Sequence, residues 1–267
     1  MNNYFQLCAC KKQNTMKRIV LISTVVLSSI LTGCNGTNAG SNKNTRDSLS
    51  AANVKPEQKV LTPEERAKLT PEDILQQFKD GNERFRTNHS TIRDHSAQIR
   101  NSAVGQYPKA IVLSCVDSRV PVEDVFDQGL GDVFVARVAG NFVNEDILGS
   151  MEFACKVAGA KLILVMGHQH CGAIKGAIDN VKMGNLTALL EKIKPAVALS
   201  DSFTGEKNSK NELYVKTVAQ NNVLNTLKNI RLKSPILKEM EEKGEIKIVG
   251  AFYTLTKGEI IFLDKTK

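Results

Sequence analysis

The sequence has no tryptophan, and only four tyrosines and ten phenylalanines among its 267 residues. Proteins that bind single-stranded nucleic acids stack the bases on exposed aromatic side chains, and many carbohydrate-binding grooves stack sugar rings in the same way. The scarcity of aromatic residues therefore argues against both classes of protein. Apolar residues form 42% and charged residues 24% of the chain, which is enough apolar material for a packed core over most of its length.

Acidic residues are missing from the first 33 positions, whereas four of the 36 basic residues lie there. These four basic residues account for half of the formal net charge of +8. Over the remainder of the chain the charges alternate in sign and form no basic stripe. The sequence therefore predicts no nucleic-acid partner.

Cysteines are few within the part of the chain that can form a domain. Three of the six are close to the N-terminus, and the other three, Cys115, Cys155 and Cys171, are far apart. Such spacing is not typical of a disulfide framework. The domain cysteines are instead candidates for metal ligands, for a nucleophile or for small core residues.

No apolar run is long enough to span a bilayer, but residues 19–31 form a run of thirteen mostly apolar residues after Lys17 and Arg18. A positive start, a short apolar run and small residues before a cleavage site are typical of a secretory signal, so we assign residues 1–33 to a signal segment, with Met16 as an alternative start. The stretch "LTGC", Leu31 to Cys34, resembles the signal of bacterial lipoproteins. This resemblance implies a lipid on Cys34 and anchoring in the cell envelope on the periplasmic side. Asn35 favours the outer membrane.

Residues 34–57 are rich in Asn, Gly, Ser and Lys and have almost no large apolar side chains. A segment of this composition cannot bury enough surface to offset the entropy lost on ordering, so we expect a flexible tether. The folded domain is then expected to comprise residues 58–267.

Apolar runs without polar alternation, separated by stretches with helical periodicity, predict an α/β fold with a mostly parallel sheet flanked by helices. Thr70 and Pro71 predict the start of a helix that reaches residue 86. Another helix is expected from Asn144 to Gly159. The predicted strands are 110–114, 132–140, 161–167, 246–255 and 259–263.

Two fragments with reactive side chains follow two of these strands. "CVDSRVP", residues 115–121, begins with Cys115, and "GHQHCGA", residues 167–173, contains His168 and Cys171. Because the carboxyl ends of parallel strands meet at one edge of a sheet, we expect the three side chains to converge. Two thiolates and one imidazole suit Zn²⁺, and three protein ligands leave the fourth position open, as in catalytic sites. A Cys–His nucleophile pair is the alternative.

Asp117 and Arg119 follow Cys115 by two and four residues in the same loop. They can form a charge-assisted pair beside the metal, in which the carboxylate accepts a hydrogen bond from the attacking water and orients it. The alternative is an ion pair that only stabilises the loop.

The fragments "CVDSRVP", "FVARVAGN" and "GHQHCGA" resemble the β-class carbonic anhydrases in order and separation, and the resemblance covers about residues 71–263. It implies one Zn²⁺ per subunit on Cys115, His168 and Cys171, with Asp117 and Arg119 as a catalytic dyad. It also implies a homodimer, often assembled further into tetramers.

The same resemblance implies a substrate pocket with Gln106, Phe134 and the main-chain amide of Gly172. Gln106, together with Val112 in place of a tryptophan, is similar to the subgroup whose metal site is open. We hypothesise that Asp117 binds the metal only in a closed state at low pH.

The activity implied is the reversible hydration of CO2 to bicarbonate and a proton, by attack of zinc-bound hydroxide. One alternative is hydrolysis of a CO2 analogue, carbonyl sulfide or carbon disulfide, at the same site. Another is a non-catalytic zinc-binding lipoprotein of the envelope.

Overall fold

The computed structural model describes residues 55–263. The predicted signal segment, Cys34 and the tether up to residue 54 lie outside the described residues. Glu57, which the composition of residues 34–57 predicts to belong to the tether, is already part of the folded structure. Its N–H donates to the Ile92 carbonyl at 2.7 Å, and its carbonyl accepts from the Asp94 N–H at 3.0 Å. Pairing through the main chain leaves no trace in composition, so the sequence could not locate this contact.

Five strands form one sheet in the order β2-β1-β3-β4-β5. The first four are parallel, and β5 is antiparallel to β4. The structure thus confirms the predicted α/β fold with a mostly parallel sheet. The strands are β1 (Ala110–Ser114), β2 (Val133–Arg137), β3 (Leu162–His168), β4 (Lys247–Thr254) and β5 (Glu259–Leu263).

Helices cover both faces of the sheet and its carboxyl edge. None of the helices between residues 55 and 263 combines the length and the hydrophobicity needed to cross a bilayer. They are α1 (Pro63–Lys68), α2 (Pro71–Arg86), α3 (His95–Ser102), α4 (Val122–Val125), α5 (Glu145–Glu152), α6 (Gly172–Ile178), α7 (Gly184–Glu191), α8 (Lys194–Ala198), α9 (Glu212–Lys233) and α10 (Pro235–Glu242), with a π-helical turn at Phe153–Val157.

Helix α2 has the bounds that the sequence predicted. The Thr70 hydroxyl accepts from the Asp73 N–H, and the Asp73 carboxylate accepts from the Thr70 N–H, so two free donors at the helix start are satisfied. Ile74 and Phe78 are fully buried against the sheet. Capping and apolar spacing are local signals, and both are visible in the sequence.

The expected helix from 144 to 159 is two elements, and the expected strand 132–140 is shorter. After α5 the backbone widens into the π-helical turn, where the Ala158 N–H donates to the Phe153 carbonyl five residues back. This turn leaves Phe153 54% exposed. Strand β2 ends at Arg137, and the chain turns away from the sheet at Gly140 and Asn141, whose φ angles are 81° and 41°.

The core has one layer on each face of the sheet. Ile111 and Leu113 of β1 face the side covered by α5, α9 and α10, whereas Ala110 and Val112 face the side covered by α2. A third cluster lies at the carboxyl edge, where α6, α8 and α9 pack, and it includes Cys115 and Cys171. This arrangement places the two predicted ligand cysteines in a buried environment.

Candidate metal centre

The two fragments predicted to converge do meet. Cys115 is the first residue after β1, His168 is the last residue of β3, and Cys171 is the N-cap of α6. Since β1 and β3 are adjacent and parallel, their carboxyl ends lie side by side. The ligand atoms of the three residues all lie within 4.8 Å of one another, and the two Sγ atoms are 3.9 Å apart.

His168 presents an unpaired nitrogen inside this cluster. Its Nδ1 lies 2.9 Å from the Gln169 carbonyl, and because a carbonyl only accepts, Nδ1 carries the proton. Nε2 therefore has a free lone pair. It is buried, and no hydrogen-bond partner for it exists among residues 55–263. A buried acceptor without a partner is costly, and a metal ion would satisfy it.

The two thiols are strongly coupled. A hydrogen bond from Cys171 lowers the pKa of Cys115 to about 4 against the opposing effect of burial, and the amides of Gly140 and Asp117 act in the same direction. The hydrogen bond to Cys115 and burial together raise the pKa of Cys171, although the amides of Ile174 and Ala173 oppose them. The cluster thus accepts one negative charge readily and a second one only with a cation. Two sulfurs and one imidazole nitrogen form a donor set that fits a divalent ion of the zinc type.

Asp117 and Arg119 form the predicted pair beside the cluster. Arg119 donates from Nε to Oδ1 of Asp117 at 2.9 Å and from Nη2 to Oδ2 at 2.7 Å. The same Oδ2 lies 3.8 Å from His168 Nε2. The hydrogen bonds from Arg119 hold the pKa of Asp117 well below its usual range, so the carboxylate is ionised and only accepts hydrogen bonds.

Arg137 supports the loop and was not singled out in the sequence. Its Nη1 donates to the Cys115 carbonyl at 2.9 Å and its Nη2 to the Val120 carbonyl at 2.7 Å. The guanidinium thus fixes both ends of the segment that carries Asp117 and Arg119. A charged residue at the end of an apolar strand was the available signal, but it does not identify the acceptors.

The three expected substrate-pocket residues are not together in one chain. Gly172 is the first residue of α6 and directly follows a ligand cysteine. Gln106 is exposed and precedes β1, and Phe134 pairs with Ile111 near the start of β2. With a rise of about 3.3 Å per residue, the length of β1 separates both from the metal cluster by more than about 13 Å. Within one chain Gln106 and Phe134 therefore lie away from the metal cluster, and their contact with substrate stays a prediction.

Fold and site define a class: an α/β protein with a buried Cys–His–Cys cluster at the carboxyl edge of its sheet. Residues 110–260 match the model of the carbonic anhydrase family. The chain is 36% identical to carbonic anhydrase 2 of Mycobacterium tuberculosis over 196 residues, which are 70% of this chain and 90% of that protein. It is 33% identical to the carbonic anhydrase of Mycolicibacterium smegmatis over 68% of this chain and 88% of that one.

Solved structures narrow the class. The β-carbonic anhydrase CcaA matches with a TM-score of 0.59 and 26% identity, over 72% of this chain and 88% of that chain. CafA of Aspergillus fumigatus matches with a TM-score of 0.57 and 28% identity, over 65% of this chain and 84% of that chain. A tetrameric β-carbonic anhydrase of Sordaria macrospora matches with a TM-score of 0.56 and 26% identity, over 62% of this chain and 85% of that chain. The chain belongs to the β-class carbonic anhydrases.

Proposed function

We propose that this chain catalyses the reversible hydration of CO2 to bicarbonate and a proton at one Zn²⁺ held by Cys115, His168 and Cys171. The observation that carries the proposal is the buried His168 Nε2, which has no protein partner among the described residues and lies within 4.8 Å of both sulfurs. When bound, zinc supplies the Lewis acidity that brings the pKa of water from 15.7 to about 7.

Asp117 has the role of orienting the attacking water. Because Arg119 engages both of its oxygens and keeps it ionised, Asp117 accepts a hydrogen bond from that water, which turns a lone pair of the water toward CO2. The engagement by Arg119 also supports an open metal site near neutral pH. The closed state, with Asp117 on the metal at low pH, remains a hypothesis.

Gly172 contributes its main-chain amide. The first amides of a helix have no acceptor within the helix, so the Gly172 N–H is available to a substrate oxygen. A Cβ atom added at Gly172 would have no neighbour within 4 Å, so the space beside this amide is open. Substrate can therefore approach the amide next to the metal cluster.

Gln106 and Phe134 serve the metal centre of a second copy in this proposal. Strand β2 is an edge strand whose five residues include four apolar ones, yet none of the five is fully buried. Phe153, whose ring lies 6.1 Å from that of Phe134, is more than half exposed. An apolar edge strand of this kind is covered in soluble proteins. We therefore place the homodimer interface along β2, and the tetrameric relative suggests further assembly.

Subunit mixing tests the shared site. His168→Ala removes one chain's metal centre, and Gln106→Ala removes the other chain's contribution to its partner. In a mixed dimer of the two variants, one centre has all its ligands and receives an intact Gln106 from the His168→Ala chain. We expect mixed dimers to be more active than either variant alone. Mixed dimers with no more activity than the two homodimers would contradict a shared site.

Stopped-flow CO2 hydration by the purified full chain, with its zinc content measured, tests the activity. A chelator and the Cys171→Ser variant should each abolish hydration and zinc binding, whereas Cys155→Ala should keep both, because Cys155 lies outside the cluster. Zinc binding without CO2 hydration would reject the proposal. Hydrolysis of carbonyl sulfide or carbon disulfide by such a protein would identify the CO2-analogue alternative, and inactivity toward all three would identify a non-catalytic zinc protein.

We also propose that the protein is lipidated on Cys34 and anchored on the periplasmic side of the cell envelope, in the outer membrane. The support is the sequence "LTGC" after a charged and then apolar segment. Cells fed labelled palmitate should label the wild type and the Cys10→Ser variant but not Cys34→Ser. A wild-type protein that carries no label and is recovered in the soluble fraction would contradict the anchor.

A further inference from the structure

The turn after β2 is held in an unusual backbone conformation next to the metal cluster. Gly140 and Asn141 are consecutive residues with φ angles of 81° and 41°. Position 140 requires glycine for two reasons: its φ angle is positive, and a Cβ atom there would lie 2.4 Å from Cδ1 of Ile193. Asparagine tolerates the positive φ angle at position 141 better than most residues do. Such a turn persists only when its surroundings fix it.

Two side chains of helix α9 hold this turn in place through hydrogen bonds. Asn222 donates from Nδ2 to the Gly140 carbonyl at 2.6 Å, and Thr226 donates from Oγ1 to the Asn141 carbonyl at 3.2 Å. Both side chains are about 1% exposed. Because residues four apart share one face of a helix, the two donors match two consecutive carbonyls of the turn. The oxygen of the Asn222 amide, Oδ1, has no partner among the described residues, so the donation from Nδ2 to the Gly140 carbonyl is the contact that accounts for the asparagine.

The turn in its fixed form points one amide at a ligand sulfur. The Gly140 N lies 3.4 Å from Cys115 Sγ, within hydrogen-bonding distance for sulfur. Groups that hydrogen-bond to a metal's ligands hold these ligands in place and tune their electron donation. A change in the turn would therefore reach the metal through Cys115, because the hydrogen bonds of Asn222 and Thr226 go to the turn and not to the ligand residues within 55–263.

We propose that Asn222 and Thr226 are positioning residues of the metal centre, which hold the Gly140 amide against the Cys115 sulfur through the 140–141 turn. The inference rests on the proposed zinc site. It assigns a functional role to two polar residues of a packing helix, which the family's motif fragments do not include.

Two variants of matched shape test the role. Asn222→Leu and Thr226→Val remove the donors with little change in volume. Thr217→Val is the control, since its hydroxyl donates to the Leu213 carbonyl of the same helix and to no other group within residues 55–263. Zinc affinity is measured by competition with a chelator, and the sulfur-to-metal charge-transfer band by loading the full chain with Co²⁺. Thermal unfolding is recorded for each metal-free protein.

We expect Asn222→Leu to bind zinc about 10- to 100-fold more weakly. We expect Thr226→Val to weaken zinc binding by a smaller factor, and Thr217→Val to bind zinc as tightly as the wild type does. The charge-transfer band of the first two should move to longer wavelength, because a sulfur without its N–H donor gives up electron density more easily. Variants that unfold at lower temperature yet keep wild-type zinc affinity and the wild-type band would overturn the role.

If Asn222→Leu does not fold, the zinc affinity and the charge-transfer band of Thr226→Val test the positioning role instead. A wild-type protein that takes up neither zinc nor cobalt would instead reject the proposed function itself, and the positioning role with it. The two failures are therefore distinguishable.

Discussion

At the scale of single residues, the pairing of Arg119 with Asp117 depends on the shape of the guanidinium. Two parallel N–H groups reach two carboxylate oxygens, which a lysine ammonium cannot reproduce. We expect Arg119→Lys to keep the wild-type zinc content and to lower kcat/KM for CO2 hydration by about a hundredfold, since Asp117 loses its fixed orientation. Zinc analysis and stopped-flow kinetics measure the two quantities.

Arg86→Lys is the control for this prediction. Arg86 also forms an ion pair, with Glu83, but on an exposed helix surface. The Arg86→Lys substitution should therefore leave kcat/KM for CO2 hydration unchanged. An Arg119→Lys enzyme with wild-type kcat/KM would show that the pair only stabilises the loop.

Asp127 is a second residue with a specific electrostatic role, remote from the metal cluster. Its side chain is fully buried and accepts hydrogen bonds from Arg84 and Arg93, each at 2.6 Å, and from Thr91 at 2.8 Å. Asp127→Asn keeps the shape and suits the φ angle of 50°, but it removes the charge. Two partly exposed guanidinium groups then lose their charged acceptor, which should reduce the free energy of unfolding at pH 7 by about 2 kcal/mol, measured by urea denaturation.

The pH dependence of this loss has a defined sign. Burial alone would raise the pKa of Asp127, but the hydrogen bonds from Arg84, Arg93 and Thr91 hold the pKa below its usual value. The stabilisation is therefore complete above the unfolded pKa of about 3.9 and disappears as the pH falls through the lower, folded value. The stability difference between wild type and Asp127→Asn should shrink when urea denaturation is repeated below pH 4. A constant difference would contradict the charge-based explanation.

At the scale of elements, helix α2 packs so closely on the loop before β2 that one of its residues must be glycine. A Cβ atom at Gly81 would lie 2.0 Å from the main-chain oxygen of Phe126. The backbone cannot yield as a side chain can, so we expect Gly81→Ala to reduce the free energy of unfolding by about 3 kcal/mol. Chemical denaturation of the soluble variant measures the loss.

Gly149 in α5 offers the opposite outcome. A Cβ atom there meets nothing within 4 Å, and the residue is exposed. Gly149→Ala should raise the stability by about 0.5–1 kcal/mol, because alanine loses less conformational freedom in a helix. Equal effects of the two substitutions would show that helix propensity, and not the contact with Phe126, governs position 81.

Elements with local signals could be predicted from the sequence. The cap at Thr70 and the spacing of Ile74 and Phe78 fixed the bounds of α2. The π-helical turn could not be predicted, because its apolar residues continue the helical spacing of α5 and the wider turn depends on packing. The end of β2 was also missed, since apolar residues continue to Ala139 while the chain leaves the sheet.

At the scale of the whole molecule, the metal cluster joins loops that follow two different strands, 53 residues apart from Cys115 to His168. A ligand that binds only the native state stabilises it, by about 4 kcal/mol when its free concentration is a thousand times Kd. Removing zinc should therefore lower the Tm by roughly ten degrees for a domain of this size. Thermal denaturation with a chelator, and again after zinc is restored, checks the expectation.

Cys171→Ser serves as the reference for this experiment. It lacks one ligand, so its Tm should not respond to zinc. A wild-type Tm that is equally insensitive to the chelator and to added zinc would contradict a zinc site in this cluster.

The sequence by itself determined which predicted strands the two reactive fragments follow and which chemistry their side chains can perform. Spacing and position after apolar runs identify the candidate ligands and the ion pair beside them, because parallel strands bring their carboxyl ends to one edge. These residues are Cys115, His168, Cys171, Asp117 and Arg119. The tertiary structure alone decided which strands are neighbours in the sheet, and that α9 reaches the turn beside Cys115. The physical reason is that such relations depend on strand direction and on packing between segments distant in the chain, and neither is encoded in local spacing.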